Sequence, residues 1–449
     1  MADLLAIGAS GVRTYQTALA TVSENIANVG NSDYSRRTIN VKEIAAPAGT
    51  FTAASAMNGY GSVAAGVNRA ADMFKAEAVR SSGADLARTE AGSVWLDRIQ
   101  SALTGPDLST SLTSFFNAAK SIAADPASAA PRAAMLENAT AVATAFTATG
   151  DALAQVTADL DATADQAVVS LNTLSAALAR VNDGLGRVGA NTAQSAGLSD
   201  QRDSILDQMS ALVDVNVTFD AAGRATVRGG GAGGPLLVSG ISAATVDYAR
   251  NAAGTVSFAV LSDKGDFSAL VPNGGALGGI ADGAQRIADA RDQLNDLATS
   301  FVDGVNALQA QGRDLNNAAG QPLFSTGAAP TDVSVALTDP NGVAAASVGG
   351  GTRDNGNILR LETLRTTGGF EGKVTTMVSA NAAALQNRNT VAAAQGAIHD
   401  GAITARDAAT GVDLDTEAVD LLRFQQAYSA SSRVIQAARD TFQTILDIR

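Results

Sequence analysis

The chain has 449 residues, 46% hydrophobic but only 4% aromatic, and 31 basic against 44 acidic side chains give it a net charge of −13. That acidity disfavours nucleic-acid backbones, and zero cysteines with a single histidine exclude disulfides, thiol nucleophiles and Cys-based or multi-His metal centres. No apolar run is long enough to span a membrane, and the first basic residue is Arg13, so a cleavable secretory signal is not expected.

The first element is a helix over 4–29. Leu5, Gly8, Val12, Tyr15, Leu19, Val22, Ile26 and Val29 alternate in steps of three and four, the seam of a coiled coil. The turn-formers Gly30, Asn31, Ser32 and Asp33 end it. Further helical patterns follow at 84–103, 108–123, 131–181 and 198–213, the third rich in alanine. Between 213 and 272 the period switches to two, and glycine-rich turns such as Gly229-Gly230-Gly231 separate short runs. This reads as a small antiparallel β insertion. Ile280, Ile287, Leu294, Phe301 and Leu308 then recur at sevens on a helix over 280–310, before a mixed patch at 320–369 and a helix at 374–398. The last pattern mirrors the first. Leu421, Phe424, Tyr428, Ser431, Ile435, Ala438, Phe442 and Ile445 keep the same alternation, behind Asp413, Asp415 and Glu417, an acidic start suited to the helix dipole.

The expected fold is mainly α: an elongated helical bundle with N- and C-terminal coiled-coil helices and a small antiparallel β insertion. The expected division is a terminal helix within 1–32 paired with 412–449, a helical core in two parts (33–212 and 273–411), and the β insertion at 213–272. A seam held to both ends of the chain needs a partner, either the other end or another subunit.

Few motifs suggest chemistry. Gly184-Leu185-Gly186-Arg187-Val188-Gly189 matches a dinucleotide fingerprint, but a helical pattern precedes it where that site needs a strand, so a helix C-terminus is the better reading. His399 beside Asp400 lacks a nucleophile elbow and reads as a partly exposed helix-end histidine. Asp413 and Asp415 fail the calcium-loop pattern. Trp95 reads as a buried helix anchor. Asp200-Gln201-Arg202-Asp203 with Asp207 is either a specific ion pair between helices or a solvated helix start, and pattern alone leaves both open. No catalytic, cofactor or metal residues are expected.

The ends carry a resemblance. Tyr15-Gln16-Thr17-Ala18-Leu19, Ser23 to Asn28 and Tyr34-Ser35-Arg36 resemble the N-terminal motif shared by bacterial flagellar axial proteins. Gly411 to Glu417, Phe424-Gln425-Gln426-Ala427-Tyr428 and Arg433-Val434-Ile435 resemble the hook-associated protein 1 family more specifically, and Leu198 to Asp203 and Val305-Asn306 agree. The family motif maps here onto Asn25, Asn28, Tyr34, Arg36, Gln425 and Gln426. The resemblance implies a structural, non-enzymatic subunit at the hook–filament junction of a flagellum. Its terminal seams, Leu5, Val12, Tyr15, Leu19, Val22 and Ile26 with Leu421, Phe424, Tyr428, Ile435, Phe442 and Ile445, would then drive homo-oligomeric assembly. It also implies hook protein below, a second junction protein and filament above, an export chaperone on the C-terminal helix, and an extracellular destination reached through the flagellar type III apparatus. The alternatives are another axial protein (hook, rod or second junction protein) or, in a different class, a cell-wall hydrolase carried on the axial structure.

Overall fold

The computed structural model describes residues 2–44 and 61–447. Among them, α1 (Ala2–Ala27) is followed by a hairpin of β1 (Arg37–Glu43) and β2 (Ser62–Arg69). Four helices come next: α2 (Met73–Thr104), α3 (Leu108–Ala124), α4 (Ala129–Arg187) and α5 (Ala193–Leu212). The β insertion holds β3 (Val215–Phe219), β4 (Ala225–Gly229), β5 (Leu236–Ser239), β6 (Ser242–Ala243), β7 (Thr245–Arg250), β8 (Val256–Leu261) and β9 (Phe267–Leu270). After α6 (Gly275–Gln311), the short strands β10 (Phe324–Thr326) and β11 (Val333–Val335) lead to α7 (Arg360–Gly368), α8 (Phe370–Thr410) and α9 (Leu414–Asp447). The fold is mainly α and elongated, as the periodicities imply.

The main body is a bundle in which α2 packs against both α6 and α8, and α4 lies against α3, α5 and α6. α4 has 59 residues and so spans about 88 Å at 1.5 Å per residue. Polar side chains on it hold both sheets of the insertion. Asn182 donates to Ala225 O and Gly240 O (both 2.8 Å) and accepts from Ala225 N at 2.8 Å. Ten residues earlier on the same helix, Asn172 bonds Val246 N and O at 2.7 and 2.9 Å. Each amide thus acts as a short extra strand for a strand edge that would otherwise be unpaired. The sheets are antiparallel, ordered β3-β4-β5-β6 and β7-β8-β9.

Composition suggests an aliphatic, Ala-rich core, and along most of α4 that holds. The aromatics are not spread thinly, however. Phe115, Phe116, Phe146, Phe301, Phe324 and Phe370 form one cluster with ring centroids 5.3 to 6.1 Å apart. Trp95 is buried between α2 and α6, where the α-carbon of Gly283 faces the indole with no room for a side chain.

Three expectations need correcting. The region 33–212 is not helical throughout, because β1 and β2 precede α2. Their sequences hide this: β1 has only Ile39 and Val41 as apolar alternating residues, and β2 is Ala- and Gly-rich, which weakens any strand signal. α2 begins at Met73 rather than near 84, fixed by Asp72, whose carboxylate accepts the amides of Phe74 and Lys75 at 3.1 Å. α8 runs on to Thr410, so His399 is not at a helix end; it is half-buried with Nδ1 3.1 Å from Ser82 Oγ. The Gly184–Gly189 run is the C-terminus of α4.

Candidate functional site: the terminal rod and its joint to the bundle

α1 and α9 pack side by side and run antiparallel. The α-carbon of Gly8 faces Ile435 and Ser431, the rings of Tyr15 and Phe424 lie 6.3 Å apart, and Asn25 meets Glu417. A side chain at Gly8 would come within 2.7 Å of Ile435 Cγ1, so glycine sets how closely the helices approach. Ala18, Val22 and Phe424 form a buried apolar cluster, with Tyr15, Leu19, Ile26, Leu421 and Ile39 of the hairpin packed around it.

The residues fully buried on α1 are not the predicted seam alone. Gly8, Gly11, Thr14, Ala18, Thr21, Val22 and Asn25 are buried, whereas Val12, Tyr15, Leu19 and Ile26 are half-buried and Leu5 is exposed. The buried face turns because α1 has two neighbours: α9, and the β1–β2 hairpin, where Thr14 Oγ1 donates to Ser62 O at 3.0 Å. On α9, Phe424 is buried, Leu421, Tyr428 and Ile435 are half-buried, and Phe442 is 54% exposed. The side chain of Ile445 lies outside the described residues. Gln425 and Gln426 are exposed on the outer face.

Where the rod meets the bundle, the chemistry becomes polar. Asn25 uses its whole hydrogen-bonding capacity: Nδ2 donates to Arg37 O (2.8 Å) and Glu417 Oε2 (3.0 Å), and Oδ1 accepts from Tyr34 Oη (2.8 Å) and Arg37 N (3.0 Å). Glu417 is fully buried and also accepts from Arg36 Nε at 2.7 Å; Arg36 Nη2 reaches Asp420 at 3.3 Å. The family-motif residues Asn25, Tyr34 and Arg36 therefore converge here. Asn28 does not; it closes the end of α1 by donating to Glu24 O at 2.8 Å. Burial pushes the Tyr34 hydroxyl up to about 12, despite the Arg37 guanidinium 4.7 Å from its ring.

Glu417 is a second correction. It is not a dipole ornament at an exposed helix start; that role falls to Asp413, which accepts the Thr416 amide at 2.7 Å. The sequence did carry a signal. Extending the α9 seam back from Phe424 and Leu421 by four residues lands on Glu417, and a carboxylate in a seam needs a buried partner.

On the bundle side, Asp200 accepts from Arg37 Nη2 (2.9 Å) and Arg69 Nε (2.6 Å), and Asp203 pairs with Arg69 Nη2 at 2.8 Å. Of the two readings left open for this acidic run, specific ion pairs are the ones formed: Asp200 and Asp203 pair with hairpin strands, and Asp207 with helices α8 and α2. Arg202 is buried over the Phe219 ring, its carbon 4.2 Å from the centroid, and donates to Gly223 O at 2.6 Å; burial lowers its pKa. Asp207 lies between Arg406 (2.9 Å) and Arg80 (3.8 Å), and burial pushes its carboxyl up to about 6 against the pull of both.

Among the described residues, no group of three or more His, Asp or Glu side chains is placed to hold a metal ion. No helix among them is long and apolar enough to cross a membrane.

This architecture has relatives. The family profile described as "Flagellar hook-associated protein FlgK helical domain" matches residues 96–324, just over half of the chain. The chain belongs to the FlgK family. A second profile, "Flagellar basal body rod FlgEFG protein C-terminal", matches residues 407–448, which takes in α9. Flagellar hook-associated protein 1 of Salmonella typhimurium is 27% identical over 347 residues, covering 73% of this chain and 60% of that protein. The chain thus aligns with about three fifths of the length of its enterobacterial relatives. The Bacillus subtilis protein of the same name is 22% identical over 495 residues, covering 96% of this chain and 95% of the relative. The structure of the flagellar hook junction protein FlgK from Burkholderia pseudomallei superimposes with a TM-score of 0.50 at 22% identity, over 56% of this chain and 47% of that one. That likeness concerns the fold. The FlgK helical-domain match runs from the C-terminal end of α2 to the start of β10, and takes in Asp200 and Asp203 of the joint but neither the rod nor the hairpin.

Proposed function

We propose that this FlgK-family chain is a structural subunit of the hook–filament junction of a bacterial flagellum, extracellular in its working place and reached through the flagellar type III apparatus. In this reading the rod of α1 and α9 is the assembly element. Its half-buried seam flanks, Val12, Tyr15, Leu19 and Ile26 with Leu421, Tyr428 and Ile435, complete their burial against neighbouring copies, as do Leu5 and Phe442 at the tip. Hook protein lies below the layer, a second junction protein and the filament above it, and an export chaperone covers α9 before assembly. The observation that carries the reading is the FlgK helical-domain match over 96–324 on a bundle that bears a paired terminal rod.

The test is deletion of the gene in the source bacterium with complementation in trans. The expected phenotype is hooks of normal length without filaments, with filament protein released into the medium. Normal filaments in the deletion strain, or loss of the hooks themselves, would refute the junction assignment.

A further inference from the structure

The two hydrophobic clusters of the molecule do not merge. One lies within the rod and takes in Ile39 of the hairpin. The other runs through α2 to α8 and the β insertion. The hairpin belongs with the rod, since both its strands pack on α1. The chain passes between the two bodies at 70–72 and again at 410–413, beside exposed Ala71 and Gly411.

What else crosses is polar. Arg37 and Arg69 sit directly opposite one another in the β1–β2 register. Like charges so placed repel, and the pairing holds because both guanidiniums converge on Asp200 at 2.9 and 2.6 Å, with Asp203 taking the second nitrogen of Arg69. Two main-chain bonds complete the contact: Val67 N to Asn191 O at 2.7 Å, and Arg36 N to Thr410 O at 2.8 Å. The charged side chains keep some contact with water, with 12%, 14% and 9% of the side chains of Arg37, Arg69 and Asp200 exposed.

We infer that rod and bundle are joined by an electrostatically latched hinge, in which Asp200 is the catch for Arg37 and Arg69, and that releasing the catch lets the rod change its angle to the bundle while both stay folded. The physics separates the two kinds of contact. Removing the charge of Asp200 leaves two facing guanidiniums without their shared counter-charge. The apolar clusters do not include Asp200 and keep their contacts. Residues 70–72 and 411–413 lie outside helices and strands and include Ala70, Ala71 and Gly411, so they can absorb the dihedral change. The hinge is a property of the single chain and does not rest on the junction reading.

The absence of cysteine makes the test clean. Spin labels at Gln436→Cys on the rod and Gln293→Cys on α6, both exposed positions, report the rod–bundle distance in the full chain by double electron–electron resonance. With the latch residues intact a single narrow distribution is expected. Asp200→Asn should broaden it about twofold or add a second population, and the double variant Arg37→Gln with Arg69→Gln, which removes the charges from the hairpin side, should do the same. Helical circular dichroism should stay constant in both cases. An unchanged width in both arms overturns the inference, as does broadening that appears only with loss of helix. Should Asp200→Asn fail to fold, the double variant decides alone.

Discussion

Glu417 offers the sharpest test of the rod. Its carboxylate is fully buried and holds Arg36 Nε at 2.7 Å and Asn25 Nδ2 at 3.0 Å. Glu417→Gln keeps the shape and one acceptor oxygen but removes the charge, turning two charge-assisted bonds into ordinary ones at a cost of about 1–2 kcal/mol. Glu417→Ala leaves both donors facing a void. Breaking a fully buried pair costs about 3–5 kcal/mol. Here Arg36 retains Asp420 at 3.3 Å and a quarter of its side chain stays exposed, so the low end, about 3 kcal/mol, applies. That is large for this part of the molecule, because one fully buried large apolar side chain contributes only about 1.5–3 kcal/mol and the rod's cluster has few of them.

The assay is hydrogen exchange by mass spectrometry on the full chain, comparing peptides from α1 and α9 with peptides from α4 and α6. About 1.4 kcal/mol per factor of ten in an equilibrium constant sets the scale. Protection in the rod should fall roughly 5- to 30-fold for Glu417→Gln and at least about 100-fold for Glu417→Ala, with α4 and α6 unchanged. Wild-type protection in the rod of both variants would refute the buried-pair argument. An equal loss in α4 would show instead that rod and bundle unfold as one unit.

Three further outcomes are expected. Phe424→Ala should cost the isolated chain about 3–4 kcal/mol, measured as lost rod protection, whereas Phe442→Ala, already half in water, should cost under about 1 kcal/mol and show its effect only in filament attachment. Asp207 has a raised folded-state pKa of about 6, so the folded chain holds that proton more tightly than the unfolded one. Its contribution to stability is therefore present below about pH 4 and lost as pH rises through 6, and pH-dependent melting of Asp207→Asn should lack that slope. Gly283→Ala drives a methyl group into the Trp95 indole and should destabilise the bundle by about 1–3 kcal/mol, seen as a lower denaturation midpoint by the fluorescence of the sole tryptophan.

Much of the fold was legible because helices of this length announce themselves. The sevens from Ile280 to Leu308 fall on α6, and the period-two runs at 213–272 fall on β3 to β9. What stayed hidden was held by single polar side chains. Asn172 and Asn182 look like ordinary polar positions on α4, yet each clamps a strand through its backbone. Periodicity counts apolar residues and is blind to an amide that satisfies a main-chain edge. Asp200 failed for a related reason. Its partners Arg37 and Arg69 lie more than 130 residues away, on strands too poor in β-formers to be expected.

The two terminal seams show a further limit. Spacing alone gives Phe424 and Phe442 equal standing, since both continue the same three–four alternation. The antiparallel register separates them. Gly8 lies opposite Ile435, and Phe424 lies eleven residues back from there, against Tyr15, Ala18 and Val22 and beside Ile39 of the hairpin. Phe442 lies two turns beyond Ile435 toward the tip, where Leu5 is exposed as well. A single heptad pattern thus does two jobs along one helix. Near the joint it closes the rod on itself, where Asn25 and Glu417 fix the register with a fully satisfied polar pair. Toward the tip it leaves Leu5 and Phe442 exposed. Polar groups placed within a seam commonly set register at some cost in stability, and their position here, at the joint rather than the tip, fixes the two helices against each other at the end of the rod that meets the bundle.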